Sequence, residues 1–259
     1  MKIIQFSVFL LFATFVLLIG TPNVEAEELG LIGIYDPHDI HYEGGNNVFH
    51  MAISGNYAYL AGSYGLHIVD IEEPSNPTYV GRYNSNNTIT YVAISGNYAY
   101  VVEGGSLVVV NIVDHTFVYP VGNYDTPGDC NNVAISGYYA YCADGDLLVV
   151  IDITNPANPI FAGSYDTVGS ARGVTISGNY AYVACGNDGL YIINIEDPTD
   201  PTFAGHYNSD GYVYDVAISG NYAYIAATGI SYGTDSELEV IDITNPANLS
   251  ADPTGNVDW

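Results

Sequence analysis

A short segment near the start of the chain gathers side chains suited to binding a metal ion. Five of them occur within residues 36–43: Asp36, His38, Asp39, His41 and Glu43. Imidazoles three positions apart among carboxylates can ligate a transition metal, and the carboxylates with nearby carbonyl groups can bind Ca²⁺. Because the spacing matches no established ligand motif, a solvated polar loop is the competing interpretation. Ca²⁺ is the candidate cofactor and this segment the candidate metal site.

The sequence lacks the short motifs of common catalytic sites. It contains no G-x-S-x-G, no H-E-x-x-H and no phosphate-binding loop. Paired carboxylates that hydrolyse glycosidic bonds stay open as an alternative, because acids from distant segments of a repeat protein can meet. The leading prediction is a non-enzymatic binding module for a protein, glycan or cation. A carbohydrate-active enzyme and a structural envelope component are the alternatives.

The charge balance excludes one large class of partners. Three Lys plus Arg stand against 29 Asp plus Glu, a formal net charge of −26. Nucleic acid binding needs clustered basic side chains, and the chain has only Lys2, Arg82 and Arg172. An anionic membrane surface is disfavoured for the same reason.

The first 26 residues read as a secretory signal. Lys2 precedes an apolar run from Ile3 to Ile19, and Val24-Glu25-Ala26 offers a small-residue cleavage site. An uncleaved membrane anchor is the alternative, since the run is at the short limit of a spanning helix. We expect a secreted or cell-surface chain in which residues 27–259 form one monomeric domain that does not insert into the membrane after cleavage.

The cysteines do not indicate a disulfide framework. There are three, an odd number, so at least one thiol is left unpaired in an exported chain. Cys142 and Cys185 fall in segments that alternate like strands, where a small buried side chain is the ordinary explanation. We expect no redox function, with a single bridge as the alternative.

One phrase recurs five times along the chain. ISGNYAY or ISGYYAY returns every 41 or 42 residues, and its serine falls at Ser54, Ser95, Ser136, Ser177 and Ser219. A period of about 40 residues without a helical pattern is typical of a propeller blade made of four short strands. Within each unit, Gly-Asn or Gly-Tyr suits a two-residue hairpin, a proline-containing turn ends the third strand, and Gly-x-Tyr marks the fourth. The sequence predicts an all-β, five-bladed β-propeller of four-stranded antiparallel blades.

The two ends of the chain predict how this ring closes. Leu31–Tyr35 is a lone fourth-strand segment before the first unit, whereas the last unit runs out without a Gly-x-Tyr. Closing the ring removes exposed sheet edges. We therefore expect the N-terminal strand to complete the last blade.

The third strands carry a family resemblance. Leu66–Ile71, Leu107–Ile112 and Leu148–Ile153 resemble the LVIVD repeat of bacterial and archaeal surface proteins, over residues 31 to about 248. This resemblance implies a β-propeller on an exported protein and implies no particular reaction. The second unit departs from it, because residues 114–118 lack the proline pair.

Binding is expected on the face formed by the connections between strands four and one and between strands two and three. These connections hold more acids than the opposite face, and two of them are longer than their counterparts, after Gly33 and within Thr228–Glu237. The residue four before each repeat serine should lie near the channel mouth. Arg172, next to this ring, could clamp a carboxylate or pair with a neighbouring Asp. The predicted ligand-binding residues are His50, Tyr91, Asn132, Arg172 and Asp215.

Overall fold

The computed structural model describes residues 47–228 and 236–251. The signal segment, the strand at 31–35 and the candidate metal site at 36–43 lie outside the described residues, so those predictions stand untested. The described part of the chain contains no helix with the length and hydrophobicity of a transmembrane span.

The described residues form five antiparallel sheets of four strands, each in sequential order. We call these sheets blades 1 to 5. Blade 1 comprises β1 (Val48–Ser54), β2 (Tyr57–Gly62), β3 (Gly65–Asp70) and β4 (Thr78–Asn84); blade 2, β5 (Ile89–Ser95), β6 (Tyr98–Glu103), β7 (Ser106–Asn111) and β8 (Tyr119–Tyr124); blade 3, β9 (Cys130–Ser136), β10 (Tyr139–Asp144), β11 (Leu147–Asp152) and β12 (Ile160–Asp166); blade 4, β13 (Gly173–Ser177), β14 (Tyr180–Ala184), β15 (Leu190–Asn194) and β16 (Thr202–Tyr207); and blade 5, β17 (Tyr212–Ser219), β18 (Tyr222–Thr228), β19 (Ser236–Asp242) and β20 (Ser250–Ala251). The all-β class and the five four-stranded units are as predicted.

The repeated phrase forms the first hairpin of every blade. In blade 2, Ser95 pairs with Tyr98 across the turn residues Gly96 and Asn97. Gly96 has φ 56°, and the equivalent glycine of each other blade is also at positive φ. Only glycine adopts this region without steric cost, so the turn and its register follow directly from the repeat.

The last polar residue of each LVIVD-type strand organises the turn that follows. In blade 3, the amide of Thr154 donates to Asp152 Oδ1 at 2.8 Å. The same bond, to the residue two positions on, recurs at 2.8–3.0 Å in the other blades, where the acceptors are Asp70, Asn111, Asn194 and Asp242. This side chain therefore replaces a backbone acceptor and starts the turn.

Consecutive blades pack face to face through apolar side chains. Tyr141 and Leu148 of blade 3 share a buried cluster with Val174 and Val183 of blade 4. Equivalent clusters join blades 1 and 2, 2 and 3, and 4 and 5. The first strands of consecutive blades lie beside one another, which places them on the inner side of the array.

The second unit keeps the turn despite its missing prolines. The amide of Phe117 donates to the Asp114 carbonyl at 3.0 Å, as the equivalent residues do in blade 3. His115, in place of the first proline, stacks on Tyr57 of blade 1 with ring centroids 3.9 Å apart, and its Nε2 lies 2.8 Å from the Tyr59 hydroxyl. An inter-blade contact thus compensates for the lost proline.

Blade 5 corrects one expectation from the sequence. The C-terminal segment does contribute a fourth strand, because Ser250 and Ala251 of β20 pair with Asp242 and Ile241 of β19. This strand is only two residues long, whereas β12 pairs with all of β11. The C-terminal segment therefore starts the fourth strand of blade 5, and the rest of the β19 edge has no strand partner among the described residues.

Candidate functional site

A β-bulge interrupts the first strand of the blades, just before the repeated phrase. In blade 1 the register shifts between Val48 and His50, so Phe49 has no partner on β2. Blades 2, 3 and 5 show the same shift at the equivalent place. In blade 4 the residue in this position, Arg172, donates its backbone amide to the Ala184 carbonyl just ahead of β13. A bulge redirects the side chain of its extra residue.

These extra residues form a set that we call the bulge ring: Phe49, Thr90, Asn131, Arg172 and Tyr214. Phe49 and Tyr214 are each 46% exposed, and Thr90 and Arg172 are exposed as well. Sequence reasoning identified only Arg172. The available signal was that the positions five and four before the repeat serine share no residue type among the five units, whereas the repeated phrase that follows is nearly invariant.

The residues predicted to line the channel mouth form a second set, which we call the inner ring: His50, Tyr91, Asn132, Gly173 and Asp215. His50 stacks on Tyr91 with centroids 3.6 Å apart, and the amide group of Asn132 donates to the Tyr91 hydroxyl oxygen. His50 and Asn132 are buried. His50, Tyr91 and Asn132 therefore pack against one another and leave the bulge ring more accessible, and the role of the set in lining a channel mouth and binding a ligand stays a prediction.

The inner ring contains one charged side chain, Asp215, because its histidine is neutral. Burial lowers the pKa of His50 to about 4, so this imidazole carries no charge at pH 7. Burial also raises the pKa of Tyr91, and the charge of Asp215 raises it further. Gly173 leaves room for Asp215, because a Cβ atom on this glycine would lie 2.6 Å from Asp215 Oδ1. Asn132 Oδ1 has no hydrogen-bond partner in the described part of the chain.

Arg172 forms a hydrogen bond with a tyrosine. Its Nε donates to the Tyr212 hydroxyl at 2.9 Å, and its guanidinium carbon lies 6.0 Å from the Tyr212 ring centroid. The Tyr212 and Tyr214 rings are in contact, with their centroids 4.7 Å apart. Within residues 47–228 and 236–251 no carboxylate forms an ion pair with Arg172, so the salt-bridge interpretation has no support there.

Several acids on the predicted binding face hold neighbouring blades together. Glu103 of blade 2 accepts from Tyr83 at 2.9 Å and from Ser85 at 2.5 Å, both in or just after β4 of blade 1. Asp144 of blade 3 is fully buried and accepts from Thr126 Oγ1 at 2.7 Å and from the Gly128 amide at 2.8 Å. Some of the acidity that suggested a cation site is therefore structural.

A cleft of about 470 Å³ opens between the outer strands of blades 1 and 2. Glu103 and Asp125 are its two acids, and Asn87, Ser106 and Asn123 are among its other polar residues. Both carboxylate oxygens of Glu103 already accept hydrogen bonds, as described above. The cleft therefore offers no free pair of carboxylates.

No metal cluster or disulfide is formed by the described residues. No three His, Cys, Asp or Glu side chains lie close enough to hold an ion in these ranges, and the candidate segment at 36–43 falls outside them. Cys130, Cys142 and Cys185 are buried free thiols. Burial raises the pKa of Cys130, and the neighbouring Cys142 thiol contributes.

The comparisons with known proteins identify the class and the family. The LVIVD repeat matches five times, at residues 46–85, 90–126, 127–167, 168–209 and 210–252. Together with the five blades, these matches define a β-propeller. The chain belongs to the LVIVD repeat family. The set of curated proteins contains no match to it.

Solved structures support the same fold. A functionally unknown protein from Desulfotomaculum acetoxidans is 15% identical with a TM-score of 0.68, covering 85% of this chain and 72% of that one. A protein from Lactobacillus plantarum is 14% identical with a TM-score of 0.69, covering 82% and 71%. The Cps50 (Swd1) β-propeller domain of Myceliophteria thermophila is 12% identical with a TM-score of 0.61, covering 82% and 74%. At these identities the likeness concerns the fold alone.

Proposed function

We propose that this protein is an exported or cell-surface β-propeller that acts as a non-enzymatic binding module, with its ligand at the bulge ring. The observation that carries the proposal is the contrast between the segments that repeat in every blade and the residues of the bulge ring. Hairpin, third strand and turn repeat from blade to blade, while the five bulge residues differ in type. The inner ring also varies in type but is largely packed, whereas Phe49, Thr90, Arg172 and Tyr214 are exposed; variation combined with exposure favours recognition of a ligand.

The chemistry of the bulge ring fits a protein or a glycan. Phe49 and Tyr214 offer exposed aromatic surface, and Arg172 offers exposed guanidinium donors. Aromatic residues and Arg are enriched where proteins bind ligands, because they combine large contact area with oriented polar groups. Ca²⁺ at Asp36–Glu43 stays a separate prediction.

Export is supported by two features of the sequence. The apolar run before a small-residue cleavage site is typical of a secretory signal. The LVIVD repeat is associated with surface proteins, as the resemblance implied. Buried free cysteines are compatible with such a location, since none is accessible to an oxidant.

The carbohydrate-active alternative receives less support from the described residues. Glycoside hydrolysis uses two carboxyl groups roughly 5 to 10 Å apart. The inner ring contributes one, Asp215, and the outer cleft contains an acid whose oxygens are occupied. A binding role needs no such pair.

We further propose that Leu31–Tyr35 completes the edge of β19 and closes the ring. Two observations support this closure. The strand β20 pairs only with Ile241 and Asp242, so the remainder of β19 can accept another strand. In addition, Tyr224 of blade 5 is only partly buried, whereas its equivalents in the other blades are buried against the next blade. The apolar face of blade 5 therefore needs blade 1 as its neighbour.

The binding proposal is tested by screening the mature chain against glycan arrays and extracellular proteins. Ligands found for the wild type are then tested with Phe49→Ala and Tyr214→Ala. The matched controls are Tyr79→Ala and Phe203→Ala, which are 44% and 56% exposed but lie on the outermost strands. We expect loss of binding in the ring variants and unchanged binding in the controls. Equal binding by all four variants, or glycan turnover without a stable complex, contradicts the proposal.

A further inference from the structure

Arg172, Tyr212 and Tyr214 form one exposed cluster between blades 4 and 5, which we call the arginine–tyrosine cluster. The Arg172 Nε and the Tyr212 hydroxyl are 2.9 Å apart, and the two tyrosine rings are in contact with an interplanar angle of 48°. Tyr214 presents 46% of its surface to solvent because the bulge turns it away from the sheet. The cluster therefore combines a cation and an aromatic surface at one site.

The backbone holds this cluster in place. Gly186 of blade 4 and Val213 of blade 5 exchange two hydrogen bonds, of 3.1 and 2.9 Å, across the blade junction. The Tyr212 ring lies directly against Gly186, where a Cβ atom would be 2.9 Å from Tyr212 Cζ. Gly186 also has φ 57°, which favours glycine. Since Arg172 is itself anchored through its backbone amide to Ala184, little ordering is left for a ligand to impose.

The charge of Arg172 is not neutralised within the described residues. Its hydrogen-bond acceptor is a neutral hydroxyl, and no bond to either Nη group is formed by residues 47–228 or 236–251. The guanidinium edge that carries the two Nη groups matches the two oxygens of a carboxylate. Among the described residues Arg172 forms no ion pair, although acids are abundant in a chain of net charge −26. The geometry is that of a site for an incoming anion.

We propose that the arginine–tyrosine cluster binds a saccharide bearing a carboxylate, such as a uronic acid. The carboxylate binds Arg172, and the apolar C–H face of the sugar ring packs on the Tyr214 face, whose negative quadrupole attracts polarised C–H groups. This inference rests on the proposed binding role and adds the class of ligand. It also explains why a positive side chain and an aromatic one occupy consecutive positions of the bulge ring.

The overall negative charge restricts which acidic saccharides bind. At physiological ionic strength the Debye length is about 8 Å, so most of the other acids are screened from a small ligand at Arg172. A polyanion extends beyond that distance and meets many of them. A saccharide with one carboxylate is therefore expected to bind more tightly than a highly charged polysaccharide of the same sugar.

The test compares a disaccharide ending in glucuronic acid with its methyl ester, which is neutral and otherwise alike. Titration of the mature chain followed by NMR gives both affinities. We expect the ester to bind at least tenfold more weakly than the acid. Arg172→Gln removes the preference for the acid, and Tyr214→Ala weakens the binding of both compounds. Arg82→Gln, which changes the other arginine of the mature chain, leaves both affinities unchanged.

Three results separate this inference from the proposed function. Equal binding of acid and ester, or a preference that survives Arg172→Gln, overturns the inference while the binding role stands. Binding of a glutamate-containing peptide through Arg172, without binding of the disaccharide, makes the ligand a protein and also overturns it. Failure of every glycan and protein in the wider screen overturns both. Melting temperatures of all variants verify that each is folded.

Discussion

Gly163 of blade 3 lies directly against the backbone of Pro198 in the turn of blade 4: a Cβ atom on this glycine would be only 2.7 Å from the Pro198 carbonyl oxygen. The fourth-strand glycines of blades 1, 2 and 4 approach the turn of the next blade in the same way: Gly81 lies against His115, Gly122 against Pro156 and Gly205 against Pro246. The glycine of Gly-x-Tyr is thus required by the neighbouring blade. Its recurrence reflects inter-blade contact, since these glycines have ordinary negative φ.

Replacement of Gly163 by alanine should therefore loosen the junction of blades 3 and 4. The added methyl group cannot fit without moving the backbone of Pro198 and Thr199, and overpacking of this kind costs about 1 to 3 kcal/mol. Urea unfolding of the variant measures the loss. Ser164→Ala, at the exposed neighbouring position, is the control and should change little. A variant as stable as the wild type would show that the turn gives way freely.

The same contact provides a test of ring closure. If Leu31–Tyr35 completes blade 5, Gly33 should meet the Pro74 turn of blade 1 as Gly163 meets that of blade 4. We then expect Gly33→Ala to lower the melting temperature by an amount similar to Gly163→Ala. Gly30→Ala, which precedes the expected strand, serves as the control. An unchanged melting temperature for Gly33→Ala, alongside a lowered one for Gly163→Ala, would rule out this mode of closure.

The third-strand acid of the repeat should act as a hydrogen-bond acceptor and not through its charge. Asp152→Ala removes the acceptor for the Thr154 amide and should cost about 1 kcal/mol of unfolding free energy. Asp152→Asn should retain most of the stability, because Asn111 and Asn194 make the same bond in blades 2 and 4. Denaturant unfolding of both variants distinguishes these outcomes. Equal losses would mean that the negative charge matters.

His67 should make the stability depend on pH. This side chain is buried, and burial together with the charge of Arg82 lowers its pKa to about 4 from 6.5 in the unfolded chain. Above pH 6.5 the imidazole is neutral in both states. Between about 6.5 and 4 the unfolded chain takes up the proton first, so stability falls as the pH falls.

The variant His67→Val isolates this contribution. Valine occupies the equivalent position in blades 2 and 3, as Val108 and Val149, and the change removes a buried Nδ1 that has no partner in the described structure. At about 1.4 kcal/mol per pKa unit, the variant should gain up to roughly 3 kcal/mol on the wild type as the pH is lowered from 7 to 4. Unfolding measured at several pH values gives the two curves. Parallel curves would show that His67 is accommodated without a shift.

The sequence predicted the parts of the fold that local chemistry repeats. Gly96-Asn97 determines a hairpin from two residues, so the strands on either side of it could be placed. The bulge at Phe49 could not be placed, because one inserted residue leaves the surrounding alternation of apolar side chains readable in either register. The role of His115 also escaped prediction, since its partners Tyr57 and Tyr59 are distant in sequence and belong to another blade.

Acids were the hardest residues to interpret from sequence, and Asp144 shows why. It occurs in an Asp-Gly-Asp turn that reads as solvent-exposed, yet its carboxyl group is buried and receives the Thr126 hydroxyl and the Gly128 amide from the connection between blades 2 and 3. Composition and spacing cannot distinguish an acid that binds a ligand from one that binds the preceding blade.

Asp144→Asn tests this structural role. The Asn side chain keeps one acceptor oxygen, but its NH2 group would face either the Thr126 hydroxyl or the Gly128 amide, each of which already donates a hydrogen bond. We therefore expect a loss of about 1 to 3 kcal/mol in unfolding free energy. Asp146→Asn, two residues away and exposed, is the matched control and should be neutral. Ligand binding at the bulge ring should survive both changes, measured at a temperature where both variants are folded. Loss of binding in the Asp144 variant without loss of stability would instead place this acid in the binding site.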